Sequence, residues 1–285
     1  MTSSFEKLSI SLRYYLQGKG YYKAMEAYAL AREYHTGTRK DKITPELQHP
    51  VEVALHAITL KDLVDEEGTI ITCLPHDLTE DYNVSQVELI RRFGSDVADS
   101  IVACDKTHKS AVHYFDVISA DPRASIAKGC DRVHNFQSMP GVFSDDKQKS
   151  YLAEGRTYFL PMLKKAAYNF PQQQLAYMNV RQVMKRQMQL LELSHARIDG
   201  YKAAQESVSK ADEIIRGAEE HAAHLRHLAG IETTANTTMG VLLQQAELLP
   251  ELLKDKYPNQ RYMLKDIFRD GLRVLRESVI EVMKK

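Results

Sequence analysis

The sequence predicts an all-α fold, and three observations carry that prediction. Apolar residues recur at helical spacing, as in Val51, Ala54, Leu55 and Ile58. Helix-boundary residues stand where such runs begin and end: Pro50 before the first run, Ser85 with Glu88 three residues on, and Gly94 after Phe93. No proline occurs between Pro171 and Pro250, which permits one long helix or two.

In chain order, Tyr21 to Tyr34 is rich in Ala, Met, Glu and Tyr and predicts a helix leading into His35. Residues 36–48, with Gly37, Thr44 and Pro45, predict a loop. Pro50 suits a first helical turn, where its missing N–H costs nothing, and Thr59 falls off the apolar face that follows. After Gly68, the run Ile70, Ile71, Cys73 and Leu74 predicts a buried helix that carries on through His76 and Asp77, kinked at Pro75. Ser85 and Glu88 form a capping box for the next helix, which Phe93 and Gly94 close. A short helix over residues 95–104 follows, then one over residues 121–135, then a break from Met139 to Asp146. Beyond Gln172 the composition turns to Gln, Lys, Glu and His. The last segment, Tyr262 to Lys285, is amphipathic, with Leu264, Ile267, Phe268, Leu272, Leu275, Val279, Val282 and Met283 on one face. The expected division is a helical domain over residues 1–170 and a helical C-terminal extension over residues 171–285, whose amphipathic end suits self-association.

Composition sets broad limits. The chain has 285 residues, with 44% apolar and 27% charged, enough for a real core in one large or two small domains. Lys+Arg and Asp+Glu are both 38, so no net charge draws the chain to nucleic acid or membrane. Cys73, Cys104 and Cys130 are far apart and lack CxxC spacing, which predicts free thiols in the cytoplasm. No run is long enough to span a bilayer, and no signal-peptide core is expected at the start.

Four short pieces carry the chemistry: His49-Pro50, His76-Asp77, Glu80-Asp81, and the stretch from Asp131 to Asn135. Two imidazoles and two carboxylates on separate segments can close around one divalent metal, and mixed N/O donors suit Mn, Fe, Co or Zn better than Mg. Adjacent helical residues point about 100° apart, so His76 and Asp77 can both reach one ion. If the helix continues, Glu80 shares their face and Asp81 stands one turn past Asp77. These two acids can then orient or deprotonate the attacking water. His-Pro and His-Asp pairs are common singly; their ordered combination among apolar helices is what makes a site.

Five segments extend the pattern: His35 to Lys40, His49 to Ala54, Pro75 to Asp81, Arg92 to Ala98, and Lys128 to Asn135. Together, over roughly residues 20 to 165, they resemble the hydrolase domain of the RelA/SpoT homologues, an HD-type metal-dependent phosphohydrolase built as a helical bundle. The resemblance implies removal of the 3′-diphosphate from (p)ppGpp, giving GDP or GTP and pyrophosphate, with Mn²⁺ or another divalent transition metal. It implies His49, His76, Asp77 and Asp131 as metal ligands and Glu80 and Asp81 as the catalytic pair. It implies Arg39, Lys40, Asn135 and Ser138 as substrate contacts.

The sequence also departs from the family pattern. The loop after Lys40 reads Asp41-Lys-Ile-Thr-Pro-Glu46 instead of Gly-Glu-Pro-Tyr, Pro75 replaces an apolar residue, and Tyr82 replaces Thr. Only Asp105-Lys106-Thr107 stands near the position of a Thr-Lys pair. These departures motivate an alternative, an HD-type nucleotide pyrophosphohydrolase or dNTP phosphohydrolase. A third reading is a nucleotide-sensing binding protein, against which the intact Glu80 and Asp81 argue. Among other histidines, His35 is read as orienting the basic loop, His134 as packing or hydrogen-bonding near the site, and His56 as playing no part. His221, His224 and His227 are read as a solvated helix face, and His108, Lys109 and His113 as a polar loop.

Overall fold

The computed structural model describes residues 4–229, and side chains as far as residue 223. The amphipathic segment Tyr262 to Lys285 and the side chains of His224 and His227 lie outside the described residues. Within them the fold is helical, as expected, with a single isolated bridge between Thr38 and Pro45 and no strand. No described helix is long and apolar enough to cross a membrane. The chain divides into two compact units, Met1–Arg197 and one beginning at Ile198.

The first unit is organised around one helix. Counting α1 (Ser4–Lys19), α2 (Tyr22–Tyr34), α3 (Gln48–Ile58), α4 (Glu66–Cys73), α5 (Leu78–Tyr82), α6 (Gln86–Phe93), α7 (Ser95–Ala103) and α8 (Ala111–Ser119), this is α9 (Pro122–Ser138). Its start is well specified: Asp121 accepts from the backbone N–H of Arg123 and Ala124, each at 2.8 Å, and Pro122 follows in the first turn. From Ala124 to His134 every residue is buried, as expected of a helix surrounded by others. It packs against α3, α4, α7 and α8, and against α11 (Leu160–Asn169). Between α9 and α11 lies α10 (Asp145–Glu154), continued by a π-helical turn over Gly155–Phe159.

Residues 171–197 pack within the first unit. They open α12 (Gln174–Ala229), in line with the proline-free stretch. Tyr177, Val180, Met184, Met188 and Leu191 recur at spacings of three and four and are all buried. Burying five such side chains contributes on the order of 1.5–3 kcal/mol each before entropy is counted. A polar clasp fixes their register. The Gln173 amide donates to the Tyr177 hydroxyl at 2.6 Å and to the Pro122 carbonyl at 3.0 Å, and Tyr177 meets Ser125 at 2.7 Å.

The structure corrects one local expectation. The helix does not run through His76 and Asp77: α4 ends at Cys73, and residues 74–77 form a turn before α5. Pro75 has no N–H to continue the ladder. Instead its carbonyl accepts from Leu78 N at 3.0 Å, and the His76 ring accounts for the Cys73 carbonyl. Pro75 therefore ends the helix rather than kinking it. The stretch after Cys104 is also less open than expected, because His113 lies inside α8, whose N-cap is Ser110.

Candidate metal centre

Three elements bring four side chains to one point. His49 is the second residue of α3, His76 and Asp77 occupy the turn after α4, and Asp131 projects from the middle of α9. The His76 ring has a defined tautomer, because its Nδ1 lies 2.7 Å from the Cys73 carbonyl, which can only accept. Nδ1 therefore carries a proton in either charge state, and Nε2 is the atom left to a metal ion. Nε2 is buried and makes no hydrogen bond. It nevertheless lies 2.9 Å from Asp77 Oδ2 and 3.6 Å from Asp131 Oδ1. His49 Nε2 lies 3.1 Å from Asp131 Oδ1 and 3.8 Å from Asp77 Oδ2. The ligand atoms of His49, His76 and Asp77 fall within 4.8 Å of one another.

Lone pairs on nitrogen and carboxylate oxygen repel at such distances unless a cation stands between them. Without a metal the cation is a proton. Burial disfavours charge on His76, yet Asp77 and Asp131 outweigh it and push its pKa up to about 10. Burial dominates at His49 and lowers its pKa to about 4. One imidazole is thus ready to act as a neutral ligand, and the other holds a proton that a metal ion would displace. The orphaned Nε2 and the mixed N/O donors fit a divalent transition metal.

The cluster opens on a cavity of about 420 Å³. His49, Asp77 and Asp131 line it with Glu80, Asp81, Arg39, Lys40, Asn135 and Ser138, so the structure brings the expected site residues together. His76, fully buried beside Asp77, does not reach the cavity surface. Glu80 and Asp81 come from α5, which opens immediately after Asp77. Burial, then the neighbouring Asp77 and Glu80 carboxylates, hold the Asp81 carboxyl above its ordinary pKa. Asn135 is committed, donating to Asp131 Oδ1 at 2.7 Å. His35 is in the cavity wall but outside the ligand group; its Nδ1 donates to the Ala31 carbonyl at 2.8 Å. His108, Lys109 and His113 do not line the cavity.

Several residues of the site were not assigned roles from sequence. Lys128 is buried with its Nζ 2.9 Å from Asp131 Oδ2 and 3.3 Å from Asp77 Oδ1. It lies one helical turn before Asp131, a signal that the quoted Lys128 to Asn135 segment already held. Lys106 pairs with Glu80 at 3.1 Å. Arg132 lies between the rings of Tyr151 and Phe159, 4.4 and 4.1 Å from their centroids, and pairs with Glu154 at 2.7 Å. Its Nε and Nη1 are buried without partners. Also lining the cavity, Lys40 stands over the Phe143 ring at 4.9 Å. Cations and aromatic rings thus line the same cavity as the acids, an arrangement suited to phosphate groups and a nucleobase.

Residues 27–114 match the family model described as an HD domain. Over 145 residues the chain is 32% identical to a guanosine-3′,5′-bis(diphosphate) 3′-pyrophosphohydrolase of Aquifex aeolicus, covering 48% of this chain and 20% of that one. Over 170 residues it is 28% identical to the bifunctional (p)ppGpp synthase/hydrolase SpoT of Escherichia coli, covering 55% and 24% respectively. The chain thus spans a quarter or less of the length of these relatives, to which its N-terminal part is homologous. A solved structure of a metazoan ortholog of SpoT, described as hydrolysing ppGpp, aligns with a TM-score of 0.45 at 17% identity, covering 59% of this chain and 94% of that one.

Proposed function

We propose that this protein is a metal-dependent hydrolase that removes the 3′-diphosphate of (p)ppGpp, releasing pyrophosphate and GDP or GTP. The observation that carries this reading is one cavity on which the His49, His76, Asp77 and Asp131 cluster opens and which Arg39, Lys40, Arg132, Glu80 and Asp81 also line. Those four residues hold the metal, Mn²⁺ in this reading or another divalent transition ion. When bound, it lowers the pKa of water and neutralises phosphate charge.

The chain's own residues do the rest. Asp81, the carboxylate without a lysine partner, takes the proton of the attacking water; Glu80, steadied by Lys106, orients that water. Water adds to the phosphorus next to O3′, the P–O3′ bond breaks, and the ribose oxygen leaves with the proton that Asp81 took from the water, which returns Asp81 to its ionised form. Arg39 and Lys40 hold the nucleotide, and Ser138 lies within reach of it. Asn135 acts through Asp131, which it holds in place. A nucleotide substrate together with buried free thiols suits the cytoplasm.

One observation favours a second reading. The loop after Lys40 turns Asp41 and Glu46 into the cavity wall, with Asp41 bonded to Thr44. Acidic groups beside Arg39 and Lys40 would suit a differently placed phosphate chain, as in another nucleotide phosphohydrolase. Incubating the purified chain with Mn²⁺ and ppGpp, pppGpp, or a panel of nucleoside di- and triphosphates separates the two. GDP plus pyrophosphate from ppGpp, lost in Asp77→Ala, supports the first. Cleavage of another nucleotide with ppGpp untouched supports the second.

A further inference from the structure

The two imidazoles of the cluster are backed differently. His76 leans on a backbone carbonyl, whereas His49 leans on a second histidine: its Nδ1 lies 2.8 Å from Nδ1 of His134, both buried. Across the ring, His134 Nε2 meets Oε2 of Glu52 in a short contact. The other Glu52 oxygen, Oε1, accepts from Gln48 Nε2 at 2.9 Å.

These contacts admit one arrangement of protons when His49 Nε2 holds a metal. A carboxylate with a donor on each oxygen only accepts, so His134 carries its proton on Nε2. His134 Nδ1 is then bare and can only accept. His49 must donate to it from Nδ1, which leaves His49 Nε2 as the lone pair facing Asp131 and Asp77. Glu52 lies one turn after Gln48 on α3, and His134 lies three residues after Asp131 on α9, so the relay braces the same two helices that carry His49 and Asp131.

We propose that Glu52 and His134 are positioning residues that set the tautomer and orientation of His49 for metal binding, through a carboxylate–imidazole–imidazole relay. The inference rests on the metal reading of the preceding subsection and adds residues to it. A carboxylate two rings away enriches the His49 lone pair and fixes the ring plane, as partners of ligating histidines do.

The test is Mn²⁺ affinity of the full chain, titrated by the loss of the free-ion electron paramagnetic resonance signal, with circular dichroism as a check on folding. His134→Ala and Glu52→Ala are each expected to weaken binding by about 10- to 100-fold, the range for such partners. His134→Gln should recover much of the loss, because its amide can accept from His49 and donate to Glu52 at once. The double variant His134→Ala/Glu52→Ala should be no worse than the weaker single one, since a relay is broken once. Binding within twofold of the unaltered protein in both alanine variants would overturn the relay alone. So would strictly additive losses with no recovery in His134→Gln. Absence of Mn²⁺ uptake by the unaltered protein would overturn the metal reading and the relay together.

Discussion

The ammonium nitrogen of Lys128 lies 2.9 Å from Oδ2 of Asp131, and its other close anion is Asp77 Oδ1 at 3.3 Å. One buried cation thus occupies the outer oxygens of both carboxylates, while Asp77 Oδ2 and Asp131 Oδ1, which also accepts from Asn135, face the imidazoles. Removing it leaves two buried anions poorly compensated. Lys128→Met is expected to destabilise the metal-free protein by about 3 kcal/mol. A divalent ion can replace part of the missing charge, so Mn²⁺ should stabilise this variant more than the unaltered chain. Urea unfolding with and without Mn²⁺ measures both; an equal metal effect in the two proteins would refute the role given to Lys128.

Asp81 gives a pH prediction. Its carboxyl is held above the ordinary value by burial and by Asp77 and Glu80. A base works only when ionised, so kcat should fall as pH drops through that raised pKa. The acid limb should lie at higher pH than an ordinary aspartate would give. Asp81→Asn should lower kcat by about 10²- to 10⁴-fold with Mn²⁺ binding retained. An unchanged acid limb in the residual activity would move the base elsewhere.

Arg132 tests the cationic part of the cavity lining. Its Nε and Nη1 lack partners in the protein while the guanidinium is held between Tyr151 and Phe159. Arg132→Gln should raise KM for the nucleotide by about tenfold, as expected when the cavity lining loses a cation worth roughly 1.4 kcal/mol to a phosphate-bearing ligand. Steady-state kinetics reads this, and a change in kcat alone would contradict it.

Gly68 tests how the turn bearing His76 is anchored. A Cβ there would stand 2.1 Å from Asp65 Oδ2 and 2.7 Å from Arg123 Nε. Asp65 caps α4 through Gly68 N at 2.9 Å and pairs with Arg123 at 2.6 Å. Gly68→Ala should cost about 1–3 kcal/mol by overpacking in urea unfolding. A neutral result would mean that the Asp65–Arg123 pair can step aside freely.

The helices and the cluster were legible because their signals are local or ordered: Ser85 with Glu88, Pro50, the proline-free stretch, and His and Asp residues in a fixed sequence. The break at Pro75 was not, because a proline can kink a helix or end it. Here the outcome follows from where the His76 ring finds an acceptor, at the Cys73 carbonyl. Lys128 and Arg132 were quoted in a motif without a role. Their partners, Asp77 for one and Tyr151, Phe159 and Glu154 for the other, are distant in sequence and meet only in the folded core. His134 was legible as a neighbour of the site, but its tautomer depends on Glu52, 82 residues away.

Hydrolysis of ppGpp in H₂¹⁸O with Mn²⁺, with both products weighed by mass spectrometry, tests the central claim most directly. Attack on the phosphorus beside O3′ predicts unlabelled GDP and pyrophosphate carrying one ¹⁸O, with no turnover in Asp77→Ala. Label in GDP, release of orthophosphate in place of pyrophosphate, or no cleavage of ppGpp at all would contradict it.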